Sequence, residues 1–227
     1  MSSWERIKVR VNKNKSGEGV PIEILALLLG YLWGSIPTAR LIARLSTGKS
    51  DALAGGNVGT LNTIRRVGLG PGLAVATLDI AKGAAAVLAA RALDVGAGWV
   101  LFAGVMAVVG HNWMVWLGFK GGKGMAAATG AIAASSIVYG HDWVLGAFIG
   151  TILVVWGVGK NLVLGNAVGL VCLPLVVWLA TGSLTATLAA ITLDAAIALK
   201  YAPEAIADYR KRGLSALGHD EIKPKQP

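Results

Sequence analysis

The chain has little charge, few acids and almost no sulfur. Only 15% of its 227 residues are Asp, Glu, Lys or Arg, where soluble domains carry about 25%. With 55% apolar residues and a mean hydropathy of +0.63, that shortfall excludes both an ordinary soluble domain and disorder. The single cysteine, Cys172, lies in an apolar run beside Leu173 and Pro174. It has no disulfide partner in the chain and no CxxC spacing, so neither redox nor zinc chemistry is expected, and no cofactor or metal is assigned. Acids number 12 against 21 Lys and Arg, a surplus that elsewhere would suggest nucleic acid. Here the cations fall in short connections between apolar runs, where they face cytoplasm and anionic headgroups, so no nucleic-acid partner is expected. Roughly 20 polar and basic residues precede the first apolar run, which is not the layout of a cleavable signal peptide. Residues 1–20 are expected to be a flexible basic tail.

What the chain does contain is a succession of apolar runs. They cover about Ile22–Leu45, Leu69–Ala90, Trp99–Phe119, Met125–Gly140 and Trp143–Gly159. A further stretch, Asn161 to Leu193, has no charge for 33 residues. About 20 helical residues cross a bilayer core, so this stretch holds two spans, split at Thr181-Gly182-Ser183, with the last helix running on towards Lys200. The expected fold is therefore all-α, a polytopic integral membrane protein of about seven transmembrane helices. Residues 21–200 form its single membrane domain, and 201–227 a C-terminal tail. Thirty-one glycines permit close helix packing in lipid. Gly146 with Gly150, and Gly165 with Gly169, have the GxxxG spacing, read here as packing within the chain.

Orientation follows from the cations. Lys49, Arg65, Arg66, Lys120, Lys123, Lys160, Arg210, Lys211 and Arg212 follow alternate runs and are expected in the cytoplasm, as is the C-terminus. Arg91 with Asp94, and His141 with Asp142, fall on the external side. Seven spans then place the N-terminal tail outside despite its own five cations between Arg6 and Lys15. Any active site is built from cytoplasmic loops and helix ends.

Three segments carry candidate chemistry. The first is Gly55-Gly56-Asn57-Val58-Gly59-Thr60-Leu61-Asn62-Thr63-Ile64-Arg65-Arg66. Gly56 and Gly59 allow backbone amides to approach an anion, Asn57 and Asn62 supply neutral donors, and Arg65 can grip phosphate through two parallel bonds. The alternative is a plain glycine-rich turn with interfacial arginines. The second is Gly110-His111-Asn112 followed by Phe119-Lys120-Gly121-Gly122-Lys123-Gly124. Gly121, Gly122 and Gly124 surround Lys123 immediately before a helix, an arrangement that suits an anion. No Ser or Thr follows Lys123, so this is not a P-loop. A simple turn, with His111 an interior hydrogen-bonded histidine, is the alternative. The third is Asp79-Ile80-Ala81-Lys82-Gly83, whose two charges share one helical face and are expected to pair within the membrane. Lys82 facing the site is the alternative.

Several catalytic schemes are missing. No Asp lies five positions after a His, no Gly-x-Ser-x-Gly elbow occurs, and no repeated Asp cluster offers a metal site. What remains is a set of cations and amides suited to binding and stabilising phosphates, with few general bases beyond His111.

In these segments the sequence resembles the bacterial acyl-phosphate:glycerol-3-phosphate acyltransferases. The resemblance rests on Gly56-Asn57-Val58-Gly59, Asn62, Arg65, Leu78-Asp79, Lys82-Gly83, Gly110-His111 and Phe119 to Gly124, in order and at approximate spacing. It implies seven helices around a cytoplasm-facing site in the bacterial plasma membrane, where an acyl phosphate and glycerol 3-phosphate react to give lysophosphatidic acid. It further implies that Arg65 and Lys123 hold phosphate, without a metal. Arg65, Lys123 and His111 are therefore the expected catalytic residues, with Asn57 and Asn62 beside them and Asp79, Lys82 and Asn112 as further support. Departures are also visible. Gly55 stands where the family has Ser, Thr60-Leu61 where it has Ala-Thr, and Met114 or Val115 where it has Pro. Lys200 to Ala205 lacks the His and Asn of the family's C-terminal stretch. A catalytically weakened paralogue that binds lipid phosphates or a partner enzyme, and a small-anion transporter, are the two alternative functions.

Overall fold

A computed structural model describes residues 20–49, 53 and 58–212. The basic tail through Gly19, the segment holding Gly56 and Asn57, and the stretch after Arg212 lie outside the described residues. Among those described, nine α-helices follow in order. They are α1 (Ile22–Gly34), α2 (Thr38–Thr47), α3 (Thr60–Arg66), α4 (Leu69–Ala92), α5 (Ala97–Asn112), α6 (Met125–Tyr139), α7 (Trp143–Gly159), α8 (Leu162–Thr181) and α9 (Leu184–Arg212). Each of the seven expected apolar runs contains an α-helix, although the third ends its helix at Asn112, short of the Phe119 expected. Among the described residues, five segments are long and apolar enough to cross a bilayer: Ile22–Thr47, Leu69–Ala92, Ala97–Leu117, Leu162–Thr181 and Leu184–Glu204. Helices α6 and α7 are apolar but shorter.

Local chemistry sets the ends. Gly48, Gly140 and Gly182 stop α2, α6 and α8 in the left-handed conformation, at φ of 71°, 71° and 58°, where a side chain would be strained. The Asn161 side chain opens α8 by accepting from the Leu164 amide at 2.9 Å. The first apolar run differs from the single helix expected of it. Pro37 disfavours helical backbone at Ile36, and the run divides into α1 and α2 around Ser35, Ile36 and Pro37.

Helix packing rests on small residues because lipid gives apolar side chains no reason to leave it for one another; van der Waals contact between close backbones takes over. A Cβ on Gly30 or Gly34 would strike the carbonyl of Ala103 or Ala107 on α5, and one on Gly110 the carbonyl of Tyr31. The same holds between α4 and α6, where Gly83 faces the Ala127 carbonyl and Gly130 that of Ile80. Of the two GxxxG pairs singled out above, Gly165 and Gly169 do pack within the chain, against Ile152 of α7. Gly146 and Gly150 do not. Nothing lies within 4 Å of a Cβ built on either, so α7 turns that stripe away from its own bundle. Gly30 and Gly34, which face α5, have the same spacing.

The connections sort to two ends of the bundle. At one end a cavity of about 90 Å³ is bordered by Tyr139, His141 and Thr181 beside the α6–α7 and α8–α9 turns. The α5–α6 connection, the start of α4 and the far part of α9 lie at the other end, where the candidate residues collect.

Candidate active site

A buried polar cluster lies beneath this end, and it begins with the break between α1 and α2. Unwinding frees backbone groups, which the membrane interior tolerates only when protein satisfies them. Lys82 of α4 does so, donating to the Ile36 carbonyl at 3.2 Å. It also pairs with Asp79 one turn earlier, Nζ to Oδ1 at 2.8 Å. The Thr38 hydroxyl, in the first turn of α2, donates to the same Oδ1 at 2.6 Å. Ser35 donates to the Gly110 carbonyl of α5 at 3.3 Å. The expected ion pair therefore exists, and it holds the break in place. His111 completes the cluster: its Nδ1 lies 3.5 Å from Asp79 Oδ1, at the outer limit of hydrogen bonding.

The glycine loop is laid directly over the C-terminal end of α5. It leaves α5 through a short 3-10 turn, Val115–Leu117, then turns on two successive left-handed residues, Gly118 (φ 61°) and Phe119 (φ 60°). A Cβ on Gly121 would strike the His111 carbonyl, one on Gly122 the His111 imidazole, and one on Gly124 the Asn112 side chain at 2.6 Å. These glycines are needed because backbone lies on a helix end with no room for side chains. The Gly122 amide donates to the His111 carbonyl at 3.0 Å, so it is already used and does not face an anion. Gly124, with φ at 83°, then starts α6. Asn112 is buried in the same layer, its Nδ2 donating to the Ala196 carbonyl of α9 at 3.0 Å. That role joins helices.

The first motif meets this layer from above. A Cβ on Gly122 would also come 2.8 Å from the Val58 carbonyl, so the loops of the first and second motifs touch. Gly59 begins α3, and its carbonyl accepts from both the amide and the hydroxyl of Thr63 at 3.0 Å. Asn62 accepts from Arg66 Nε at 3.2 Å. Arg65 and Arg66 are exposed on the last turn of α3, apart from the buried cluster. Gly56 and Asn57 are outside the described residues.

Lys123 projects from the loop to α9. Its Nζ lies 2.5 Å from Glu204 Oε2 and 4.6 Å from the centre of the Tyr201 ring. Lys200 lies 5.6 Å from the centre of the Trp113 ring. The helix thus continues past Lys200 as a wall of the site. Thr38, Tyr201 and Glu204 were missed from sequence. Thr38 carries no motif signal, and Glu204 is 81 positions from the lysine it meets; only its place in the C-terminal stretch with Tyr201 hinted at a role.

Comparison with known proteins gives the family. The family model described as glycerol-3-phosphate acyltransferase matches residues 24–207. Glycerol-3-phosphate acyltransferase 1 of Dehalococcoides mccartyi is 42% identical over 179 residues, which is 78% of this chain and 86% of that protein. The Thermus thermophilus glycerol-3-phosphate acyltransferase is 35% identical over 77% of this chain and 76% of its own length. Two crystal structures of PlsY (YgiH), an integral membrane glycerol 3-phosphate acyltransferase, one in its glycerol 3-phosphate form and one in its lysophosphatidic acid form, share the fold. Each has a TM-score of 0.73 at 27% identity, covering 88% of this chain and 95% of that one. This chain, a helical membrane protein with its glycine-rich loops gathered at one end of the bundle, belongs to the glycerol-3-phosphate acyltransferase family.

Proposed function

We propose that this acyltransferase takes its acyl group from an acyl phosphate and passes it to the hydroxyl of glycerol 3-phosphate, releasing lysophosphatidic acid and inorganic phosphate. The observation that carries the reading is the meeting of Val58, His111 and Gly122, which joins the loops of two motifs beside Lys123. An acyl phosphate is an activated mixed anhydride. Positioning two anions and neutralising the departing phosphate supplies most of what its reaction needs. The hydroxyl oxygen attacks the acyl carbon, the bond from that carbon to the phosphate oxygen breaks, and the hydroxyl proton leaves on the phosphate. Lys123 and Arg65 hold the phosphates. His111 and Asn112 support the loop that carries Lys123, Gly59 and Asn62 shape the first motif, and Asp79 with Lys82 fixes the helix break below. Neither the weakened paralogue nor the anion transporter is favoured by a family match that runs from residue 24 to residue 207.

We place the enzyme in a bacterial plasma membrane with residues 21–200 as its membrane domain and its C-terminus in the cytoplasm. The support is cationic: Arg65, Arg66, Lys120, Lys123 and Arg210 lie at the site end, and Arg91 at the other. The deciding assay uses purified protein in detergent with radiolabelled glycerol 3-phosphate and either palmitoyl phosphate or palmitoyl coenzyme A. Product is expected from the phosphate donor, falling by about 10²- to 10³-fold in Arg65→Ala and Lys123→Ala. Product only from the coenzyme A donor refutes the proposed donor. No product from either, with folded protein, refutes the activity.

A further inference from the structure

On α9, Tyr201 and Glu204 are three positions apart and so share a face. That face meets Lys123. Glu204 lies against the ammonium and Tyr201 presents its ring to it. The two partners differ in freedom. The Glu204 side chain is 63% exposed, whereas Lys123 is 25% exposed. Glu204 can therefore swing into water at little desolvation cost, while Lys123 stays between the glycine loop and the Tyr201 ring. Asn112 and Trp113 also tie the preceding turns of α9 to the end of α5, through Ala196 and Lys200. Pro203 precedes Glu204 inside the helix and lacks the amide that would bond one turn back.

An ammonium is one compact positive charge, and a carboxylate and a phosphate dianion on it repel each other. Resting on the reading that Lys123 holds a substrate phosphate, and taking that phosphate as the donor's, we propose that Glu204 is an internal competitor for it. It occupies Lys123 in the empty enzyme, gives way when the acyl phosphate enters, and returns as inorganic phosphate leaves. Tyr201 is a positioning residue that keeps the ammonium in place during the exchange. Glu204 thereby sets donor affinity and hastens phosphate release, while its own exposure keeps the resting ion pair weak enough to open.

The test is steady-state kinetics of Glu204→Gln with palmitoyl phosphate, using inorganic phosphate as inhibitor. The expected result is that KM for palmitoyl phosphate and the inhibition constant for phosphate both fall about two- to five-fold, the range of an exposed ion pair, with KM for glycerol 3-phosphate unchanged. A merely structural ion pair would lower kcat or stability without tightening phosphate. Values that stay unchanged or rise in a monodisperse variant overturn the proposal. If the variant does not fold, the parent protein supplies the test by hydrogen exchange. Saturating inorganic phosphate should speed exchange in the turn around Tyr201 to Glu204, and unchanged exchange overturns the proposal. Lys123→Ala tests the underlying assignment separately. Retained activity there refutes the phosphate role of Lys123, whereas lost activity together with an unmoved Glu204→Gln profile refutes the competition alone.

Discussion

Replacing Lys82 with Met should destabilise the protein more than any other single conservative change near the site. The side chains of Lys82 and Asp79 are 5% and 1% exposed and 2.8 Å apart, so removing the ammonium strands a carboxylate away from water. Breaking one partner of a buried pair costs about 3–5 kcal/mol. The Ile36 carbonyl, which accepts from Lys82 at 3.2 Å, also loses its donor, for about 1–3 kcal/mol more. The two losses share one site and do not add fully. A net of roughly 4 kcal/mol, at about 2–4 °C per kcal/mol for a chain of this size, lowers Tm by about 10 °C. The double variant Asp79→Leu with Lys82→Met leaves no buried charge and should recover about half of that loss. Thermal unfolding in one detergent, followed by circular dichroism for the parent, both single variants and the double, gives the coupling directly. The reasoning is refuted if Lys82→Met melts within about 2 °C of the parent, or if the double variant is as unstable as the sum of the singles.

Three further outcomes follow from the same structure. Gly122→Ala puts a Cβ into the His111 imidazole and the Val58 carbonyl, so the loop must shift. Acyl transfer should fall at least about 100-fold, since small misplacement at a reacting site costs that much; parent-like kcat/KM would refute it. Gly34→Leu should abolish recovery of monodisperse protein because it forces α1 from α5, whereas Gly146→Leu, with nothing within 4 Å, should change stability by less than about 0.5 kcal/mol. Size-exclusion profiles and melting curves check this pair. Thr38→Val removes the 2.6 Å hydrogen bond to Asp79 and should cost about 1.5–3 kcal/mol, the range for a bond to a charged group, measured by the same unfolding assay.

Much of the fold is legible in the sequence. Apolar runs gave the helices and Gly140 and Gly182 their ends, because hydropathy and backbone strain are properties of the local chain. The Asp79–Lys82 pair was legible for the same reason: three residues apart on a helix, the charges must share a face. The glycines of the second motif are legible as a group, but not the reason for them: Gly121, Gly122 and Gly124 lie on backbone and side chains of His111 and Asn112. A glycine that admits a ligand and one that admits a helix end look identical in sequence.

The sequence by itself determined that this is a membrane protein, where its helices fall, and which ordered set of loops marks its family. Only the tertiary structure decided what those residues touch. Thr38 reaches Asp79 across 41 positions and Asn112 reaches Ala196 across 84, while Lys123 is held by Glu204 from a helix that begins 61 residues after it. Hydropathy acts within a turn or two of chain, whereas these contacts depend on how closely small residues let whole helices approach.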